Sequence, residues 1–136
     1  MLPSLAGDFD TRAIDRAFDV LEREIDEGLE HAFAETCDRV VDRVKATHKW
    51  QNRSGELEKN TRKIAPTGRA LLGNLQAGVI MATPYATILE GDPALGPGIG
   101  GGKWQSLNPA WADIQPSFER QCQMTLELAV EKAGLR

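Results

Sequence analysis

A few residues of this 136-residue chain are of types that could do chemistry, and their spacing decides whether they do. His31 stands within a turn of Glu27, Glu30 and Glu35, and a carboxylate-flanked imidazole is raw material for a metal site. No second His or Cys falls at ligand spacing beside it, so a solvated polar face is the simpler reading. His48 stands alone in a basic stretch. Cys37 and Cys122 do not form a C-x-x-C pair, and each has apolar neighbours at helical spacing; both are expected to be free thiols in a reducing compartment. Ser54 has no histidine at any spacing that would activate it. Gly96-Pro97-Gly98-Ile99-Gly100-Gly101 fits the G-x-G-x-x-G string, and Gly102-Lys103 resembles the end of a phosphate loop. The first motif needs a strand before it and a helix opening within it, and the second needs Ser or Thr after the lysine, where Trp104 stands. The chain is therefore expected to have no catalytic residue, no metal and no cofactor. Its function should lie in its surfaces.

Composition agrees with a folded chain that works by contact. With 41% hydrophobic and 26% charged residues, neither disorder nor a membrane class is favoured, and the length suits a single domain over 1–136. No apolar run approaches the roughly 18 residues that span a bilayer, and Met1-Leu2-Pro3-Ser4-Leu5-Ala6-Gly7-Asp8 lacks the basic start and apolar core of a signal peptide, so no membrane partner is expected. The net charge of −4 conceals an asymmetry: 12 acidic against 6 basic residues over 1–46, then 2 acidic against 6 basic over 47–75. An acidic chain is poorly suited to coat duplex DNA, because that affinity comes largely from Lys and Arg displacing counterions.

The elements that must present these surfaces follow from periodicity. Residues 1–9 read as a flexible N-terminal arm. From Asp10 or Thr11, either of which can cap, apolar residues recur as Ile14, Phe18, Leu21, Ile25, Leu29, Phe33, Cys37, Val40 and Val44, in steps of three and four. That predicts one helix to about Thr47, longer than a domain of this size needs, so it either protrudes or is covered by something else. Gly28 in its middle marks a bend or a close packing contact. The stretch Trp50 to Gly91 reads as the sheet region. It contains a strand over 57–65 ended by a Pro66-Thr67-Gly68 turn, a second turn at Gly73-Asn74, and a buried strand over 75–83 stopped by Pro84. Residues 91–105 form a Gly/Pro-rich loop. Pro109 and Pro116 are placed as near helix starts, Ser117 as a cap, and Phe118, Cys122, Leu126, Ala129 or Val130 and Ala133 follow at helical spacing up to Gly134. The fold class is α+β, with a long N-terminal helix and a C-terminal helix packed on a small antiparallel sheet.

The order of these features resembles the tail-completion, or head-to-tail joining, family of long-tailed double-stranded DNA bacteriophages. A long N-terminal helix is followed by an Arg-Ser/Thr-Gly-x-Leu turn, here Arg53-Ser54-Gly55-Glu56-Leu57. A Tyr-Ala-x-x-x-Glu-Gly-like element comes next, here Tyr85-Ala86-Thr87-Ile88-Leu89-Glu90-Gly91, then a Gly/Pro-rich loop, the pair Pro109-Ala110 and a C-terminal helix. Here Glu90 and Gly91 adjoin where the family places an aromatic between them. The resemblance implies a virion structural protein of the neck, assembled in the bacterial host cytoplasm. It would form a homo-oligomeric ring, a hexamer, between the connector or stopper protein and the tail terminator or tail tube protein, with DNA passing through the lumen without sequence-specific binding.

Trp50, Arg53, Arg62, Tyr85, Glu90, Lys103, Trp104 and Trp111 are the interface candidates, and a ring contact would set the basic 47–63 region of one copy against the acidic helix of the next. The alternatives are a tail terminator or other minor tail protein and, behind these, a nucleic-acid-binding module or a small enzyme.

Overall fold

The computed structural model describes residues 11–48, 59–81 and 106–135. The first helix, α1 (Thr11–Thr47), runs 37 residues, about 55 Å at 1.5 Å per residue, as the three-and-four spacing predicts. Its apolar stripe is not uniformly covered. Cys37, Val40 and Val44 are buried together with Ala32, Thr36 and Val41, whereas Ile14, Leu21, Ile25, Leu29 and Phe33 are half-buried and Phe18 is 55% exposed.

Two strands, β1 (Thr61–Thr67) and β2 (Gln76–Met81), pair antiparallel with Thr61 opposite Met81, Lys63 opposite Val79 and Ile64 opposite Gly78. The register breaks between Ile64 and Thr67. The expected turn at Pro66-Thr67 is therefore corrected: both residues belong to β1, because an irregularity in a two-stranded sheet leaves a place for a residue that has no N–H to donate. The strand is displaced toward Thr67 from the expected 57–65. The turn begins at Gly68, whose φ of 82° is left-handed and where a Cβ would run into the Asn74 carbonyl. A single 3₁₀ turn, Ala70–Leu72, and Gly73-Asn74 complete the connection. β2 is half-buried rather than the buried strand expected.

The second helix, α2 (Leu107–Lys132), is one continuous element. Pro109 stands in its first turn, where no intrahelical donor is needed. Pro116 and Ser117 lie inside it, a correction to the reading of both as marks of a helix start. Pro116 and Ala112, whose carbonyl loses its partner, are both exposed, so water can satisfy that oxygen. Gly134 ends the helix as expected: at φ 71° it lets Leu135 N–H donate to Val130 O at 3.2 Å and Gly134 N–H to Glu131 O at 3.0 Å.

The helices pack antiparallel. Arg43 meets Asp113, Arg39 meets Ser117 and Gln121, and Lys132 meets Glu24, so each step forward along α1 is matched by a step back along α2. The core sits where both helices meet the sheet: Val40, Val44 and Ala110, with Val79, Met81, Leu107 and Ile114 packed against them. The expected α+β arrangement of two helices and a small antiparallel sheet is what the chain adopts.

Candidate functional site

Among the described residues, the helical register leaves one part of α1 without a helical partner. Because Lys132, at the end of α2, pairs with Glu24 at 3.2 Å, the segment from Thr11 to Arg23 projects past α2 by about 20 Å. This overhang carries Ile14, Phe18 and Leu21 on one side, with Asp15, Asp19 and Glu22 beside them. Of the two expectations for the over-long helix, projection past its helical partner is what the described residues adopt.

Behind the overhang, a polar node locks the β1–β2 connection to the middle of α1. Arg69 Nη2 and Nε both donate to Asp26 Oδ2, at 2.6 and 3.2 Å, and Nη2 also reaches Glu22 Oε1 at 3.4 Å. Asp26 Oδ1 accepts the Leu71 N–H at 3.3 Å, and Asn74 Oδ1 accepts the Arg69 N–H at 2.8 Å. The carboxylate of one helix thereby serves donors at the head of a 3₁₀ turn 43 residues away. Hydrogen bonds from the Arg69 guanidinium, helped by the Leu71 and Ala70 N–H groups, hold the Asp26 carboxyl below its ordinary 3.8.

A group whose folded pKa lies below its unfolded value stabilises fully above that unfolded value, and the contribution disappears as pH falls through the folded one. Asp26→Asn should therefore lower the urea midpoint at pH 7 and lose less than the wild type on going to pH 3. Equal acid sensitivity of the two proteins would remove Asp26 from the acid response.

Between the helices runs a polar ladder. Arg39 donates from Nη1 to Ser117 Oγ at 2.9 Å and from Nη2 to Gln121 Oε1 at 2.6 Å, while Gln121 Nε2 donates to Glu35 Oε2 at 3.0 Å. His31 Nε2 lies 3.3 Å from the same Glu35 oxygen, an ion pair when the imidazole is protonated. The depression around His31 is lined by Glu27, Glu30, Ala34 and Pro66. Among the described residues no group of three or more His, Cys, Asp or Glu is gathered so as to hold a metal ion.

Both cysteines are free, and burial pushes the Cys37 and Cys122 thiols above their ordinary range, which lowers their thiolate fraction and reactivity. Among the described residues no helix is long and apolar enough to cross a membrane.

Of the interface candidates, Trp50, Arg53, Tyr85, Glu90, Lys103 and Trp104 lie outside the described residues, as do the arm over 1–9 and the loop over 91–105. Arg62 and Trp111 are placed, and in different surroundings. Arg62 is exposed on β1 opposite Ile80; the sheet turns Thr61, Lys63, Val79 and Met81 toward the helices, and Arg62, Ile64 and Ile80 away from them. Its neighbour Lys63 is engaged with Asp38 at 3.0 Å. Trp111 is 38% exposed and packs at 5.5 Å on Phe118, which meets Phe33 edge-on at 5.2 Å, so much of its ring serves the helix pairing.

Sequence reasoning missed Arg69 and Asp26, whose pairing has no local signature, and it missed the polar ladder. Comparisons with family models, with curated proteins and with solved structures find no match.

Proposed function

We propose that the chain is a non-catalytic structural subunit of a bacteriophage neck, joining the capsid connector to the tail as one copy of a ring. The observation that carries this reading is the overhang: about 20 Å of helix with an exposed phenylalanine is surface that an isolated subunit leaves wet and a neighbour can bury. The order of the Arg53–Leu57, Tyr85–Gly91 and Pro109-Ala110 motifs supports the same reading, as does the separation of an acidic helix from a basic sheet region, which suits head-to-tail contact between copies.

The test is genetic and direct. In the phage or prophage that encodes the chain, disabling this gene should yield DNA-filled heads and finished tails that do not join, and purified protein added to the extract should restore joining. Normal yields of infectious, tailed particles without the gene would overturn the assignment.

A further inference from the structure

Two exposed patches on this chain are complementary to each other and cannot meet within one molecule. The first is on the overhang. Phe18 is 55% exposed, and at 100° per residue it lies about 60° round the helix from Asp15 but about 120° and 160° from Arg12 and Arg16, so the strip beside the ring is acidic. Asp15 makes no ion pair among the described residues.

The second is the outward face of the sheet. Ile64 is 47% exposed there, Ile80 is half-buried beside it, and Arg62 stands exposed with no ion pair among the described residues. Among the described residues the inner face of the sheet rests on the helices, and its outward face carries an apolar pair beside a cation with no ion pair there. The patches are kept apart by the fold. β1 is tied to α1 at Asp38 through Lys63, 20 residues and therefore about 30 Å along the helix from Phe18.

We propose that a second copy of this chain seats its Phe18 strip on the outward sheet face, the ring covering Ile64 and Ile80 and Asp15 pairing with Arg62. This deepens the ring assignment above and rests on it for the closure of the assembly. The contact is heterologous, so each copy uses one patch toward each neighbour and both are filled at once. An aromatic anchor over branched aliphatics supplies the apolar burial, and the carboxylate and guanidinium fix the register.

The experiment is sedimentation velocity of the full chain over a concentration series, with circular dichroism as the check that each variant folds. The wild type should self-associate. Asp15→Lys and Arg62→Glu, both at exposed positions, should each weaken association at least about tenfold, because each places like charges across the contact. The double variant Asp15→Lys/Arg62→Glu should recover to within about threefold of the wild type, since the pair is restored in reverse.

A wild type that stays monomeric throughout the series would overturn the proposal. So would single variants that associate as the wild type does, or a double variant no better than the singles. Head–tail joining that survives Arg62→Glu would remove this contact and leave the neck assignment standing. Joining that never depended on the gene would remove the neck assignment, with the sedimentation result unaffected.

Discussion

Val44→Asp should abolish the cooperative unfolding transition at neutral pH. Val44 has no exposed surface and sits where α1, α2 and the sheet converge, against Val40 and Ala110 and under Val79 and Met81. Burying its side chain stabilises by about 2 kcal/mol, which the substitution forfeits. The carboxylate would also have to be desolvated with no partner, at several kcal/mol more. Against a total stability of roughly 5–15 kcal/mol, the combined loss exhausts most or all of what holds the fold. Val44→Ala, which removes two methyl groups and leaves a small void, should cost only about 2 kcal/mol and keep a cooperative transition. Urea unfolding followed by circular dichroism separates the two outcomes. A Val44→Asp protein with a midpoint near the wild type would mean that the three elements do not depend on this junction.

The second large effect is expected at the helix crossing. Gly28 faces Thr125, and a Cβ there would overlap Thr125 Cγ2, while Thr125 Cβ and Oγ1 stand off at 3.8 and 4.0 Å. The threonine cannot simply turn away, because its hydroxyl donates to Gln121 O at 2.9 Å. Gly28→Ala should gain about 1 kcal/mol in helix propensity and lose about 1–3 kcal/mol to overpacking, a net destabilisation of the order of 1 kcal/mol. Gly28→Leu should cost more than about 3 kcal/mol, since three further carbons add to the overlap with Thr125.

The informative variant is the double one, Gly28→Ala/Thr125→Ser. Serine keeps the hydroxyl and drops the obstructing methyl, so stability should return to the wild-type level or exceed it by up to about 1 kcal/mol. Thermal or urea unfolding of the four proteins of this cycle decides the matter, and a double variant as weak as Gly28→Ala would refute the close-packing account.

These two sites show how far the residues could be read in advance. α1 was legible from end to end because its apolar residues recur every three or four positions, and Gly28 stood out because a glycine inside such a pattern needs a reason. The reason is the close approach of α2. The stripe of α2 was legible only in part. Phe118 and Ala129 face α1 or the core, but Leu126, placed in the same stripe by spacing, is 42% exposed. Beside Ile114 the helix presents Ala110, Gln121 and Thr125 to the junction, and those small or polar residues leave no periodic apolar signal.

Their use follows from the side of α1 they meet, where Gly28, Ala32 and Arg39 allow close approach and hydrogen bonding in place of apolar bulk. Pro66 misled for a related reason. A proline reads as a break when strand pairing is assumed regular, and here it occupies the one irregular place in the ladder. The Asp26–Arg69 pairing joins residues too distant in sequence for any spacing rule to connect. The acidic 1–46 and basic 47–75 stretches were legible from charge alone, and the fold adds which of those charges are engaged among the described residues: Lys63 and Arg69 are, Arg62 is not.

The mismatch in helix length has a thermodynamic corollary. α1 is one helix by its backbone hydrogen bonds yet two by the depth of its support, so unwinding can start at Thr11 and halt near Glu24 without disturbing the junction at Val44. A partner that grips the overhang then acts by stiffening a segment already in its bound shape. Part of the binding free energy is spent suppressing that fraying, and attachment registers as increased order at one end of the subunit, with no rearrangement of its core.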